Sequence, residues 1–246
     1  MPIIYEPKGK AREYSALAAN LYKGCSHACA YCFAPSATFT DRLVFSRETY
    51  IQPRPGVLSQ LEKDCRKLTG NPEPILMSFT SDPYQPVEKK LKITRQALEL
   101  MSAHSLRPQI LTKSGTWGIT RDADLLKKAN GIWAATLTTE YNSLSKHWEP
   151  GAAMPSERIE ALEIAKSHGL QTWISFEPVL YPVQVLSLIE KTHKFVDLYK
   201  VGKLNYHPLA EEIDWQNFLF TVEAQLDRFD CKRYIKKDLE AFRNAT

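Results

Sequence analysis

Long apolar runs are missing from this 246-residue chain, and no stretch approaches the roughly 18 consecutive apolar residues of a membrane-spanning helix. The opening stretch "MPIIYEPKGKAREYS" carries charges where a secretory signal peptide would need an apolar block. We therefore expect a cytoplasmic monomer with no membrane partner. Gly/Ser-rich linkers and low-complexity tracts are missing as well, so we expect a single domain over residues 1–246, with a core at about 15–228 and a C-terminal helix at about 229–243.

Cysteine is scarce, because the chain has only five, which is an odd number. Since the cytosol keeps thiols reduced, a disulfide framework is not expected, and clustered thiols indicate a metal site or redox chemistry instead. The charge imbalance is also small, with a net charge of +4 at pH 7. That excess permits a nucleic-acid or phosphate partner without requiring one. The hydrophobic fraction of 43% and the charged fraction of 24% exclude a disordered protein.

Short apolar runs take the place of long ones, and they predict six buried strands: 16–22, 74–80, 107–112, 132–138, 171–177 and 196–202. Their near-continuous apolar character is typical of a parallel sheet covered on both faces. Amphipathic helical stretches separate them, such as the one that places Ile93, Ala97 and Leu100 on a single face. Repeated strand–helix units imply right-handed crossovers. Since a closed barrel needs eight such units, we predict an α/β fold built as an open, partial (β/α)6 TIM-like barrel with parallel strands.

Loops at the carboxyl ends of barrel strands carry the chemistry in such folds. Four loops follow the first, second, third and fifth predicted strands: "NLYKGCSHACAYCF" (20–33), "SDPYQP" (81–86), "KSGTWG" (113–118) and "EPVLYP" (177–182). They therefore share one end of the barrel, which we call the mouth. Trp148, Glu177, Lys203 and His207 are further aromatic or polar residues that we expect there.

Three of the five cysteines lie within eight residues of one another: Cys25, Cys29 and Cys32. Structural zinc almost always takes four protein ligands. His27 would have to supply the fourth ligand. Cys65 and Cys231 are distant, and each shares a face with apolar residues, so they are expected to be buried rather than to bind a metal. Three thiolates suit a [4Fe–4S] cluster better, since one iron is then left for an outside ligand. A zinc-bearing or cluster-bearing binding protein without chemistry of its own is the alternative.

The spacing of these cysteines, with Tyr31 before the last of them, resembles the CxxxCxΦC motif of the radical SAM superfamily. The resemblance implies a [4Fe–4S] cluster and S-adenosylmethionine (SAM) as cofactors. It also implies reductive cleavage of SAM to a 5′-deoxyadenosyl radical, with the electron supplied by a flavodoxin- or ferredoxin-like donor. Tyr31 is then expected to flank the adenine.

The chain is most similar to the spore photoproduct lyase-like, "DNA repair photolyase" branch of that superfamily. The similarity rests on the segments "SFTSDPYQP", "LTKSG", "WEPGA", "SERIEAL" and "WISFEPV". It implies lyase-like chemistry on a nucleic-acid base, and modification of a protein or a small metabolite is the alternative. The basic segment "CKRYIKK" would suit phosphate contacts, or it would form the solvated face of a terminal helix.

The same resemblance implies that six more residues bind SAM. Ser81 and Asp82 would lie near its amino group, and Lys113 would bind its carboxylate. Thr136 and Thr138, on the fourth strand, would lie near the ribose, and Arg158 begins the fourth helix. These residue types suit the ligand, because SAM needs an acceptor, a cation, small polar groups and an aromatic wall. Two positions have plainer alternatives. Asp82 and Pro83 form an ordinary turn pair, and Arg158 would neutralise neighbouring glutamates.

Thr80 departs from the lyase pattern, which has at this position a cysteine that returns a hydrogen atom to the repaired thymine. An O–H bond is far stronger than an S–H bond, so threonine is a poor hydrogen donor to a carbon radical. Tyr84, two residues after Asp82, is the catalytic candidate for relaying a hydrogen atom from the same loop. Packing of its ring against Pro83 and Pro86 is the alternative.

Overall fold

The structure is a computed structural model that describes residues 2–244. Within that range the strands are β1 (Ile4–Tyr5), β2 (Leu17–Ala19), β3 (Tyr22–Lys23), β4 (Gln52–Pro53), β5 (Pro74–Met77), β6 (Arg107–Thr112), β7 (Ile132–Thr136), β8 (Gln171–Phe176), β9 (Leu198–Val201) and β10 (Arg233–Ile235). The helices are α1 (Ala34–Ala37), α2 (Arg42–Phe45), α3 (Val57–Lys67), α4 (Glu88–Leu91), α5 (Ile93–Ala103), α6 (Thr116–Lys128), α7 (Asn142–Trp148), α8 (Pro155–Ser167), α9 (Pro182–Thr192), α10 (Trp215–Arg228) and α11 (Lys237–Glu240). None of these helices has the length and apolar character needed to cross a membrane.

Eight of these strands form one sheet in the order β1-β2-β5-β6-β7-β8-β9-β10, and β3 pairs separately with β4. From β2 to β10 every neighbouring pair is parallel, whereas β1 runs antiparallel to β2. The six predicted strands correspond to β2 and to β5 through β9, which lie side by side in chain order. The prediction of an α/β fold with an open, partial barrel of parallel strands is confirmed.

The first of these strands is shorter than its apolar run suggests. Residues 16–22 divide into β2 and the start of β3, and Asn20 lies between the two. The side-chain oxygen of Asn20 accepts hydrogen bonds from the backbone N–H groups of Phe79 (2.9 Å) and Thr80 (3.0 Å). This side chain therefore replaces a strand partner where β2 and β5 end, and the chain leaves the sheet toward the cysteines.

The predicted C-terminal helix at about 229–243 is wrong. The long helix is α10, which precedes that segment, and the segment itself contains β10, the short α11 and a 3-10 helix over Ala241–Asn244. Its Lys, Glu, Leu and Ala residues favour a helix locally, but Arg233–Ile235 pairs with β9 in parallel register. Because β9 would otherwise be an unpaired edge, pairing with the sheet outweighs the local propensity.

Alternation along the strands divides the apolar side chains into two layers. On β7, Trp133 belongs to the large cluster beneath the helices, whereas Ile132 belongs to a smaller cluster inside the curved sheet. We call the space that this inner cluster lines the lumen. Tyr14 fills part of it, with its ring centroid 5.9 Å from that of Trp173. Apolar side chains and the Tyr14 ring therefore fill this part of the lumen.

The segment before β2 reaches from one edge of the sheet to the other. The Lys10 ammonium lies 2.7 Å from a carboxylate oxygen of Asp238, and the Glu13 carboxylate accepts a hydrogen bond from the Lys237 N–H at 2.9 Å. Both partners follow β10, the edge strand on one side, whereas β2 lies on the other side of the sheet, next to the edge strand β1. This segment therefore packs across the open side of the barrel.

Candidate active site

Residues 24–33, which we call the cysteine loop, place three free thiols at the mouth. Cys29 is buried, and Cys25 and Cys32 are partly buried. Burial, followed by the nearby Asp82 carboxylate, raises the pKa of the Cys25 thiol far above its ordinary value, and burial raises the pKa of Cys29 to about 12. Cys25 and Cys29 are therefore neutral thiols unless a metal ion or cluster supplies the positive charge that stabilises a thiolate.

The donor set fits a [4Fe–4S] cluster better than zinc. His27, the alternative fourth zinc ligand, is buried, and its Nδ1 lies 3.4 Å from Oδ2 of Asp82. Across residues 2–244, no three His, Cys, Asp or Glu side chains converge on a point where they would hold one metal ion. A cluster does not need that convergence, because each thiolate binds its own iron. The three cysteines would hold three irons and leave the fourth for SAM.

Neighbouring loops fix the backbone of the cysteine loop. Gln85, from the loop after β5, accepts a hydrogen bond from the Ser26 N–H at 3.1 Å and donates one to the Gly24 carbonyl at 3.3 Å. The Ala30 N–H donates to the carbonyl of Trp148, at the end of α7, at 2.8 Å. Gln85 is fully buried. The protein therefore sets the position of the loop from two sides before any cofactor binds.

Arg42 of α2 binds the same loop beside two of its thiols. Its Nη1 donates to the Cys29 carbonyl at 2.9 Å, and its Nη2 donates to the Cys32 carbonyl at 2.8 Å. Asp41 is the N-cap of α2, and its carboxylate accepts hydrogen bonds from two N–H groups of the first turn. The cap fixes the start of α2 and thereby aims the arginine at the loop.

Gly151 is expected to tolerate no side chain. Its N–H donates to the His27 carbonyl at 3.1 Å, and a Cβ atom added there would lie 2.1 Å from the Ser26 carbonyl oxygen. We predict that Gly151→Ala displaces the cysteine loop, lowers the free energy of unfolding by about 1–3 kcal/mol and halves or further reduces the iron bound after anaerobic reconstitution. Gly70→Ala is the control, because Gly70 has a φ of +77° but no atom within 4 Å of an added Cβ. Equal iron content in the two variants would contradict the prediction.

Glu149 is a buried carboxylate at the centre of the site, and it is not among the site residues predicted from the sequence. It accepts hydrogen bonds from the hydroxyl of Tyr31 and from Oγ1 of Thr138 (3.2 Å), and its Oε2 lies 2.6 Å from Nη2 of Arg158. Burial alone would raise the pKa of Glu149, but the charges of Arg158 and Lys113 together with these hydrogen bonds hold it below its usual range. Glu149 thus joins three residues that the resemblance assigned to SAM.

Arg158 is fully buried, and its donors face the protein. Besides its ion pair with Glu149, its Nε donates to the Ala153 carbonyl at 2.8 Å and its Nη1 to the Thr136 carbonyl at 3.0 Å. These contacts support a positioning role for Arg158, behind the residues that would face SAM. Thr136 lies on β7 in the same alternation as Ile132, so its side chain points toward the lumen.

Asp82 connects two loops of the mouth. Its carboxylate accepts hydrogen bonds from the Thr112 hydroxyl (2.7 Å) and from the N–H groups of Lys113 (2.8 Å) and Tyr84 (2.8 Å). It therefore fixes the loop after β5 to the end of β6. The neighbouring Ser81 hydroxyl is buried and has no hydrogen-bond partner among the described residues, so it is free to meet a ligand.

Lys113 points its ammonium into the site, 5.6 Å from the centre of the Tyr31 ring. Burial alone would lower the pKa of Lys113, but the Cys29 sulfur, when it is a thiolate, and the Glu149 carboxylate raise that pKa above its ordinary value. The side chain is therefore a cation, and its close contact is an aromatic face. A ligand carboxylate would find a charged donor there.

Tyr84 does not belong to this group, which corrects the prediction that it relays a hydrogen atom. Its ring is 1% exposed and packs against Trp117 and Trp133, in the layer between the sheet and the helices. Its hydroxyl donates to Asp122 of α6 at 2.9 Å. The Tyr84 N–H is bound to Asp82 at the mouth, whereas the Tyr84 side chain lies on the helix side of the sheet.

A second polar cluster lies where β8 and β9 reach the mouth. Glu177 accepts hydrogen bonds from the hydroxyl of Tyr14 and from the ammonium of Lys236 (2.6 Å). Burial, then the negative charge of Glu177, raises the pKa of Tyr14 well above its ordinary value. Of these residues only Glu177 was expected at the mouth. Tyr14 and Lys236 carry no local motif, and their positions follow from the segment before β2 and from β10.

A cavity of about 650 Å³ opens beside this site, in the loop that follows β9. Lys203, Tyr206, His207 and Trp215 line it, and the Lys203 ammonium lies 5.4 Å from the Trp215 ring centre. The His207 ring contacts that of Trp148, with 5.1 Å between centroids. His207 therefore connects the wall of the cavity to Trp148, the residue whose carbonyl binds the cysteine loop.

Comparisons with known proteins agree with this geometry. The family model of the Radical SAM superfamily matches residues 19–196. An uncharacterized protein of Methanocaldococcus jannaschii is 29% identical over 223 residues, which are 88% of this chain and 82% of that protein. Spore photoproduct lyase has a similar fold, with a TM-score of 0.69 at 14% identity, over 94% of this chain and 79% of the lyase. SuiB of Streptococcus suis, bound to S-adenosylmethionine, gives 0.63 at 13% identity, over 89% of this chain and 49% of SuiB.

Proposed function

Because the chain belongs to the radical SAM superfamily, whose enzymes use a [4Fe–4S] cluster and S-adenosylmethionine, we propose that it performs this chemistry on a base of a nucleic acid. One observation carries the proposal: the cysteine loop, the Lys113 ammonium and the Glu149 cluster lie together at the mouth of one barrel. The chemistry needs an external reductant, and we propose a flavodoxin- or ferredoxin-like protein for that role.

The residues of the site have distinct tasks in this proposal. Lys113 orients the carboxylate of SAM, and Tyr31, whose hydroxyl is fixed by Glu149, forms a wall for the adenine. When bound, the reduced cluster supplies the electron that cleaves SAM into methionine and a 5′-deoxyadenosyl radical. Arg158 keeps Glu149 ionised and in place. The polar residues proposed to face the amino group and the ribose of SAM are Ser81, Asp82, Thr136 and Thr138.

The choice of a nucleic-acid base rests on the mouth and on the fold. The 650 Å³ cavity offers aromatic faces together with the Lys203 cation, which suits a planar, hydrogen-bonding ring. Spore photoproduct lyase, whose fold covers 94% of this chain, has been solved in complex with a dinucleoside spore photoproduct. Thr80 replaces the hydrogen-donating cysteine, so we propose a reaction on a base that differs from that of the lyase in how the hydrogen atom returns.

Lys113→Met is predicted to weaken SAM binding about 10- to 100-fold while leaving the iron content unchanged, because a charge-assisted hydrogen bond to the SAM carboxylate is lost. The measurement is a SAM titration of the reduced, reconstituted protein followed by electron paramagnetic resonance. Lys127→Met is the control, since Lys127 is exposed on α6. Equal SAM affinity in the wild type and in Lys113→Met would overturn the role of Lys113.

The substrate class is tested by the yield of 5′-deoxyadenosine. Reconstituted protein with SAM and dithionite is incubated with single-stranded DNA, with RNA, with a mixed peptide library or alone. We expect an oligonucleotide to raise the rate at least about tenfold over the protein alone. With a perdeuterated oligonucleotide, deuterium should appear in the 5′-deoxyadenosine. Stimulation by peptides alone, or deuterium absent despite stimulation, would contradict a nucleic-acid substrate.

A further inference from the structure

A second cavity, of about 270 Å³, lies beside the start of the cysteine loop, at Gly24. We call it the anion cavity, and the lining residues that matter here are Lys23, Gly24, Thr38, Tyr50, Arg54 and Thr80. Its lining combines two cations with three hydroxyl groups and contains no carboxylate. A cavity of this composition favours an anion that carries several acceptor oxygens.

Arg54 is the strongest sign that a ligand belongs in this cavity. Its Nε is buried and has no hydrogen-bond partner in the described part of the chain, and its Nη2 makes a single long contact, 3.5 Å, with the Thr80 hydroxyl. Buried polar groups in native proteins are nearly always paired, so an unpaired guanidinium N–H beside a cavity needs an explanation. The planar donor array of arginine matches phosphate oxygens, which would satisfy Nε and Nη2 together.

The cavity is built into the same framework as the cofactor site. Gly24, with a φ of +69°, separates the cavity from Cys25, and a Cβ there would lie 2.7 Å from the Phe45 carbonyl oxygen. That oxygen accepts the hydrogen bond of the Cys25 N–H at 3.2 Å. On the other side, Thr80 directly precedes Ser81 of the SAM site. A ligand in the cavity is therefore held at a fixed position beside the cluster.

We propose that Lys23, Arg54 and Thr80 form a subsite for a backbone phosphate of the nucleic-acid strand, which fixes the strand while a neighbouring base enters the mouth. This inference rests on the proposed nucleic-acid function. A water occupies about 30 Å³ in the liquid, so 270 Å³ holds a phosphate group with several of its waters but not a whole nucleotide together with them. Phosphate contacts position a strand without reading its sequence. The subsite would therefore hold the strand in place without selecting its sequence.

The test uses the reconstituted holoprotein and fluorescently labelled single-stranded DNA and RNA, with fluorescence anisotropy measured at several salt concentrations. Arg54→Gln is expected to weaken binding about tenfold, similarly for all sequences, and to reduce the slope of log K against log salt by about one. Arg47→Gln is the matched control, because Arg47 is exposed in the same segment and does not line the cavity. Iron content and SAM cleavage without oligonucleotide should be the same in all three proteins, which excludes misfolding.

Inorganic phosphate separates this inference from the proposed function. Phosphate should compete with the oligonucleotide in the wild type more strongly than in Arg54→Gln, and Thr80→Val should reduce that competition. An unchanged affinity and salt slope in Arg54→Gln, with an oligonucleotide still stimulating the wild type, would overturn the subsite and leave the nucleic-acid function standing. Phosphate binding lost in Arg54→Gln, without oligonucleotide binding to the wild type, would overturn the nucleic-acid strand as the ligand and the proposed substrate together.

Discussion

Cys29→Ala should bind no [4Fe–4S] cluster and should cleave SAM at least about 100-fold more slowly than the wild type, because the loss of a direct ligand exceeds the 10- to 100-fold effect of removing an outer-shell partner. Cys29 is the most buried of the three thiols of the cysteine loop, and Arg42 fixes its carbonyl. A water molecule therefore cannot easily replace its sulfur as the ligand of that iron.

The measurements are iron and sulfide per chain after anaerobic reconstitution, electron paramagnetic resonance with and without SAM, and 5′-deoxyadenosine by chromatography. Cys231→Ala is the matched control, because Cys231 lies just before β10, is not part of the cysteine loop and should leave all three quantities unchanged. In the wild type, the signal of the reduced cluster should shift when SAM is added. Tightly bound zinc, or a signal indifferent to SAM, would refute the assignment of the cysteine loop.

Arg158→Met should lower the free energy of unfolding by about 3–5 kcal/mol, because it leaves the Glu149 carboxylate buried without its cation. Glu149→Gln should have a similar cost, since it leaves the guanidinium unpaired. The double variant should lose clearly less than the sum of the two single changes. The measurement is urea unfolding of the four proteins as a double-mutant cycle.

The control for this cycle is Lys166→Met, which breaks the partly exposed pair of Lys166 and Asp197 and should cost less than about 1 kcal/mol. The free energy of unfolding at acidic pH gives a second check. Because the folded protein holds the pKa of Glu149 below its unfolded value, the ionised carboxylate contributes stability above about pH 4.3, and this contribution is lost as the pH falls through the folded pKa. The stability difference between the wild type and Glu149→Gln should shrink below about pH 4. Additive costs at neutral pH would mean that the two residues do not act as a pair.

The strand order and the cysteine motif could be predicted because both are encoded locally. An apolar run such as that of β7 fits one kind of sheet, and three thiols within eight residues fit few kinds of site. The strand β10 was missed for the opposite reason. The Lys, Glu, Leu and Ala residues around this short strand favour a helix, and the unpaired edge of β9 that outweighs them is formed by residues far away in the sequence.

Glu149 and Tyr84 show the same limit within the site. Tyr31 and Glu149 are 118 positions apart and meet only because the cysteine loop and the end of α7 reach the same mouth. One signal could have indicated Glu149: it is the acidic residue of the otherwise uncharged segment "WEPGA", and a buried carboxylate needs a cationic partner. The orientation of Tyr84 had no such signal, because its side-chain partners Trp133 and Asp122 lie on other elements, far along the chain.

The segment that packs across the open side of the barrel also constrains the order of folding. Lys10 and Asp238 are 228 positions apart, and Glu13 binds the N–H of Lys237. During synthesis, residues 10–14 leave the ribosome early but cannot find these partners until nearly the whole described chain has followed them. Contacts of such long range form slowly, because the loop between them must close first. The lumen therefore stays open to water until late in folding, and a chain released before Lys237 would contain every strand of the barrel while leaving its open side uncovered.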